Sequence, residues 1–106
     1  MFFEHRQYTI KDGKIARWVE LMEKEIIPFQ ASKGMVIVGS WTVEGEPDLY
    51  VWMRRFDSEA ERVQQYKDVY ETEHWQKVIK PRIDEMLNRE AMRITRLVPT
   101  TKSPIR

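Results

Sequence analysis

The chain has 106 residues, long enough for one modest core and too short for two domains. Its formal net charge is +1 with both signs interspersed, so no basic face is offered to a polyanion and nucleic acid is not an expected partner. Cysteine is absent, which removes disulfides, thiolate metal sites and cysteine nucleophiles together and leaves packing alone to hold the fold.

Phe2 to Ile10 reads as a first strand. Charge arrives too early in Met1-Phe2-Phe3-Glu4-His5-Arg6 for a signal peptide, and no apolar run approaches membrane-spanning length. The expectation is a soluble cytoplasmic protein with no membrane partner. Lys11-Asp12-Gly13 closes the strand, and Asp12 is placed to cap a helix. From Gly13 onward Ile15, Trp18, Val19, Met22, Ile26 and Phe29 recur at helical spacing against Lys14, Arg17, Glu20, Glu23 and Lys24, the pattern of an amphipathic helix covering one sheet face. Pro28 is expected to kink or end its last turn.

A hairpin follows, Met35 to Val43 and Asp48 to Phe56, joined by Glu44-Gly45-Glu46-Pro47. Large apolar residues fall on both parities of both strands, so each face asks for cover. Ser58-Glu59-Ala60-Glu61 has the form of a capping box, and a helical region to Leu87 is expected to kink or break at Pro81, with Thr72 capping its second part. Ala91 to Val98 reads as the last strand, and Thr100 to Arg106 as a polar tail.

The order strand, helix, strand, strand, helix, strand is the ferredoxin-like α+β plan: a four-stranded antiparallel sheet with both helices on one face. The other face is then bare. An apolar patch on the order of several hundred Å² is more than a monomer normally shows to water, so a homodimer joined sheet to sheet, a dimeric α+β barrel, is the expected assembly.

The pattern Glu4-x-Arg6-x-Tyr8-x-Ile10, the Asp12-Gly13 turn, Ile27-Pro28, Gly39-Ser40-Trp41, Tyr50-Val51-Trp52 and His74-Trp75 resembles the NIPSNAP family from about Phe2 to Leu97. The resemblance implies one domain over residues 1–99, a tail over 100–106, and membership of the dimeric α/β-barrel superfamily. Relatives there include cofactor-free monooxygenases of aromatic substrates, haem-degrading enzymes and muconolactone-isomerase-like proteins. NIPSNAP-like proteins have no agreed activity, so no reaction and no cofactor carry over. What carries over is a small apolar or aromatic molecule in a cleft between sheet and helices, with haem bound through His74, or a non-catalytic dimer, as alternatives.

Charge in the central strand of this plan needs a reason, because Glu4, His5, Arg6 and Gln7 stand where apolar side chains are expected. One reading puts Glu4, Arg6 and Tyr8 on one face of a cavity, Arg6 fixing a carboxylate or polarising a carbonyl and Tyr8 donating a proton. The other, which is favoured, is a buried ion pair of Glu4 with Arg54 that sets pairing. His74, beside the helix break, is a candidate base or haem ligand, or a surface residue. Neither His74 nor His5 has a partner at metal-ligand spacing, so no metal is expected. Among the aromatics, Trp18 reads as core, while Trp52, Trp75 and Tyr66 are the candidates for a pocket wall, with Arg6, Tyr8 and His74 as its polar groups.

Overall fold

A computed structural model describes all of residues 1–106. Strands β1 (Phe2–Ile10), β2 (Val36–Val43), β3 (Glu46–Phe56) and β4 (Leu87–Leu97) form one antiparallel sheet in the order β2-β3-β1-β4. Four helices complete the chain: α1 (Ile15–Leu21), α2 (Ile27–Ser32), α3 (Glu59–Tyr70) and α4 (Lys80–Met86). This is the ferredoxin-like α+β arrangement, with β1 in the middle as expected.

Both prolines sit inside helical paths rather than at their ends. Pro28 is the second residue of α2 and Pro81 the second of α4, and each follows a π-helical segment, Met22–Ile26 and His74–Ile79. A proline supplies no amide proton and its ring crowds the preceding turn; the wider π turn removes that crowding, so the helix continues instead of stopping. Of the two outcomes expected at Pro28, a kink or an end, the end is ruled out, since the helical path runs on to Ser32. The second region does break, but at Glu71 and Thr72, ahead of Pro81.

The caps follow the sequence in part. The Ser58 hydroxyl accepts from the Glu61 amide at 3.1 Å, and the Glu61 carboxylate takes the Asp57 amide at 3.1 Å, one residue earlier than an ideal capping box. Thr72 Oγ1 accepts from the Trp75 amide at 3.2 Å and caps the second part. Asp12 caps nothing: Gly13 turns the chain at φ 73°, and the helix starts two residues later with Lys14 at the cap position and no side-chain bond. The hairpin turn is also tighter than expected, with Gly45 at φ 81° and Glu46 already paired with Val43. β4 begins at Leu87, directly at the end of α4, rather than at Ala91.

Residues paired across antiparallel strands share a face. Glu4, Arg6, Tyr8 and Ile10 of β1 therefore lie with Tyr50, Trp52, Arg54 and Phe56 of β3 under the helices, where Trp18, Leu21, Met22, Ile26, Val69 and Ile79 close the core. The opposite face carries Leu49, Val51 and Met53, all half-buried, beside Trp41, which is 47% exposed. Gly39 stands two residues from Trp41 on that face, and a β-carbon at Gly39 would run into the indole. Within the single chain, then, one face of the hairpin is buried and the other partly open. At the outer edge, Gln7 pairs with Arg93 and Thr9 with Asn88, five steps on β4 against two on β1, so residues 89–92 bow away from the ladder.

No helix is long and apolar enough to cross a membrane. Ser58→Ala and Thr72→Ala should each lower the unfolding free energy by about 1 kcal/mol, read from urea transitions followed by circular dichroism. An unshifted midpoint in either variant would mean that its hydroxyl is not a cap in solution.

Candidate functional site

The polar centre of the molecule is a cross-strand pair. Glu4 of β1 stands opposite Arg54 of β3, the carboxylate 3% and the guanidinium 0% exposed at residue level. Arg54 Nη2 donates to Glu4 Oε1 at 2.7 Å and to the Tyr66 hydroxyl at 2.9 Å, while Nη1 donates to Gln30 Oε1 at 2.9 Å and the Tyr70 hydroxyl at 2.7 Å. Its charge also lies over the rings of Trp52 at 4.8 Å and Tyr66 at 5.2 Å. Only Arg54 Nε lacks a partner. A charge in this position costs several kcal/mol to desolvate, and such a dense set of acceptors is what offsets that cost.

Arg6 is held from the same side. Its Nε donates to Glu4 Oε1 at 3.1 Å, Nη1 to the Tyr8 hydroxyl at 2.8 Å and Nη2 to the Tyr66 hydroxyl at 3.1 Å. Tyr66 in turn donates to Glu4 Oε2 at 2.5 Å. One carboxylate thus serves two guanidiniums. Burial alone would raise the Glu4 carboxyl, but Arg54 and Arg6 beside it, with the Tyr66 bond, hold it below its ordinary value. Burial pushes the Tyr66 phenol up, against the pull of the two arginines. Burial likewise raises Tyr50, to about 12, although the Ser40 hydroxyl bonded to it acts the other way.

Beside this network lies a cavity of about 330 Å³, lined by fifteen residues of which ten are hydrophobic. Arg6, Tyr8 and Trp52 enter its wall from the sheet, and Trp18 from α1. Both π-helical segments contribute, Met22 and Ile26 from the first, Trp75 and Gln76 from the second. Local widening of a helix re-aims the side chains it carries, and the two π turns bring theirs to one space. The exposed or half-exposed members Gln76, Lys80 and Arg89 mark the mouth, and the bowed part of β4 supplies Arg89 and Met92.

Of the residues expected at the site, Arg6, Tyr8, Trp52 and Trp75 come together in the cavity wall. Glu4 and Tyr66 do not; they stand behind Arg6 and fix it, because the carboxylate is drawn to the buried Arg54. The ion pair and the cavity group are therefore both present, sharing Arg6. His74 is outside the wall: it is exposed and its ring lies 5.0 Å from that of Phe29, since the π turn directs its neighbour Trp75 inward instead. Trp18 is both core and wall. Gln30 was not among the expected residues, yet it is fully buried and bonds Arg54. Its signal was a polar residue four positions after Ile26, in phase with the apolar stripe. Lys80 and Arg89 carry no such signal, because tertiary packing alone brings them together. No three His, Asp or Glu side chains converge as a metal site would require.

Fold and site together define a ferredoxin-like α+β chain with a mostly apolar cavity beneath its helices. The NIPSNAP family model matches residues 3–102, and the chain belongs to that family. It is similar to the crystal structure of a NIPSNAP family protein from Agrobacterium tumefaciens, at 27% identity and TM-score 0.87 over 99% of this chain and 98% of that one. It is also similar to an uncharacterized NIPSNAP domain protein from Burkholderia xenovorans, at 25% identity and TM-score 0.85 over 98% and 99% of the two chains. An antibiotic biosynthesis monooxygenase shares the fold alone, at 16% identity and TM-score 0.68 over 94% of this chain and 99% of that one. The comparison with curated proteins gives no match.

The Glu4 carboxyl, lowered in the folded state, contributes stability that is present above its ordinary value of 4.5 and is lost as pH falls through the folded value. Glu4→Gln should cost about 3 kcal/mol or more at pH 7, because two buried guanidiniums then share no counter-charge. The gap to the wild type should narrow when urea unfolding is repeated at pH 3. A gap of constant size across that range would show that the carboxylate charge is not what the cluster uses.

Proposed function

We propose that the chain binds a small, largely apolar or aromatic molecule in the cavity between sheet and helices, and that it does so as a homodimer closed through the other sheet face. The observation that carries the first part is the wall itself: aromatic and aliphatic over most of its area, with Arg6 and Tyr8 as convergent polar groups. Arg6 is rigidly oriented by Glu4 and Tyr66, so its charge is aimed before any ligand arrives. The Tyr8 hydroxyl accepts from Arg6, which leaves its own proton to donate. A cofactor-free oxygenase or isomerase needs such a pair beside its substrate, one group to stabilise developing negative charge and one to move a proton. Haem through His74 has no comparable support, because that imidazole is not part of the wall.

The second part rests on the open sheet face. Val36, Trp41 and Leu97 are exposed there and Leu49, Val51 and Met53 half-buried, apolar groups interleaved with His5, Gln7 and Arg55 on the same face and suited to pairing with a second copy about a two-fold axis. Gly39 lets the Trp41 indole lie flat along the strand, where it can serve as the anchor of such an interface.

Thermal shift and calorimetry across a panel of small aromatic compounds test the cavity: at least one should bind the wild type, and Met92→Trp, which fills the space, should abolish that binding while preserving the circular dichroism spectrum. Sedimentation tests the assembly. The wild type should run as a dimer at micromolar concentration and Trp41→Asp as a folded monomer, with Gly39→Ala weakening the dimer by displacing the indole. A wild type that is monomeric throughout would end the proposal of a paired sheet face.

A further inference from the structure

We infer that the cavity is built for an anion: a carboxylate carried on a small apolar or aromatic body, its charge held at Arg6 and drawn in past Lys80 and Arg89. This deepens, and rests on, the reading of the cavity as a ligand site. The first observation is the sign of the lining. Its charged members are Arg6, Lys80 and Arg89, and no carboxylate is among the fifteen residues.

The surrounding charges do not cancel that sign. Arg6 in the wall and Arg54 behind it face only Glu4, two positive charges against one. At the mouth, Lys80 and Arg89 both reach Asp84, again two against one: Lys80 Nζ lies 3.0 Å from Oδ2 and Arg89 Nη2 2.7 Å from Oδ1. The deep surplus matters most, because a buried charge without its counterpart is expensive, and one negative charge beside Arg6 would complete it. The mouth surplus acts at longer range, attracting anions and repelling amines.

Hydrogen-bonding capacity has the same bias. A guanidinium carries five N–H donors, and Arg6 spends three of them, on Glu4, Tyr8 and Tyr66, so two are left. Trp18 and Trp52 both belong to the wall, and the indole N–H of each is buried without an acceptor. Tyr8 keeps its proton for donation. The acceptors of the wall are largely spent: Gln30 Oε1 takes Arg54, and the Tyr70 hydroxyl takes Arg54 and Gln30. Donors in excess and acceptors in use describe a site for a group that only accepts, and a carboxylate is such a group. A volume of about 330 Å³ lies at the small end for ligand sites, which suits a body of one or two rings.

Three compounds of one shape and different charge provide the test: indole-3-acetate, indole-3-acetamide and tryptamine, titrated into the full chain by calorimetry at low ionic strength. The acetate should bind at least about tenfold more tightly than the amide, with tryptamine weakest, and added salt should erode the preference. Arg6→Gln should bring acetate and amide to within about twofold of each other. Should Arg6→Gln fail to fold, the double variant Lys80→Glu/Arg89→Glu at the mouth serves in its place and should weaken the acetate at least about fivefold more than it weakens the amide. Amide or amine binding as tightly as the acetate in the wild type would overturn the inference and leave the cavity a ligand site. Binding of none of the three at millimolar concentration would defeat that underlying reading, and the inference with it.

Discussion

The Glu4–Arg54 pair is the constraint on which the rest of the molecule depends. It joins the two central strands from the side that the helices cover, and both partners are almost wholly withdrawn from water. Strand pairing has a side-chain period of two, so a slip of one residue between β1 and β3 would turn Glu4 outward and leave Arg54 buried without its counter-charge. Apolar side chains tolerate misregistry far better than that. The pair therefore penalises a shifted register, whatever its net contribution to stability.

Once that register is set, the cavity follows. Arg6 and Tyr8 are the next two residues of β1 on the same face, and Trp52 stands opposite Arg6 on β3. The helices reach the same space through their two π turns, each immediately ahead of a proline. A cost in helix regularity is thus spent twice, at matching places in the two halves of the chain, and both times the displaced side chains face the cavity. Tyr66 stands behind the wall, while Tyr70 and Gln30 belong to it, and all three hold the arginines in place.

Much of this was legible in the sequence, for identifiable reasons. Strong periodicities gave the element order, and with it the ferredoxin-like plan. A run of charge in a strand that must be central pointed to Glu4, Arg6 and Arg54, because such residues are placed there only when paired or used. Thr72 and Ser58 declared their helix starts through local chemistry. Other features were not legible. Proline marks where a helix is irregular, yet does not say whether it bends, stops or widens, and here it widens. Asp12 looked like a cap, but the positive φ of Gly13 moved the helix start beyond its reach. His74 drew notice as a histidine beside a break, whereas its neighbour Trp75 is the residue turned inward. Lys80 and Arg89 lie nine positions apart on different elements, and only the closing of α4 against β4 makes them neighbours.

The bowed stretch of β4 from Arg89 to Met92 lies on an edge strand and outside the regular ladder with β1. Insertions, deletions or exchanges there leave the central pairing untouched while reshaping the rim of the chamber. The scaffold thus keeps the strand pairing that fixes the register apart from the stretch that shapes the chamber's opening, so the one is built without reference to the other.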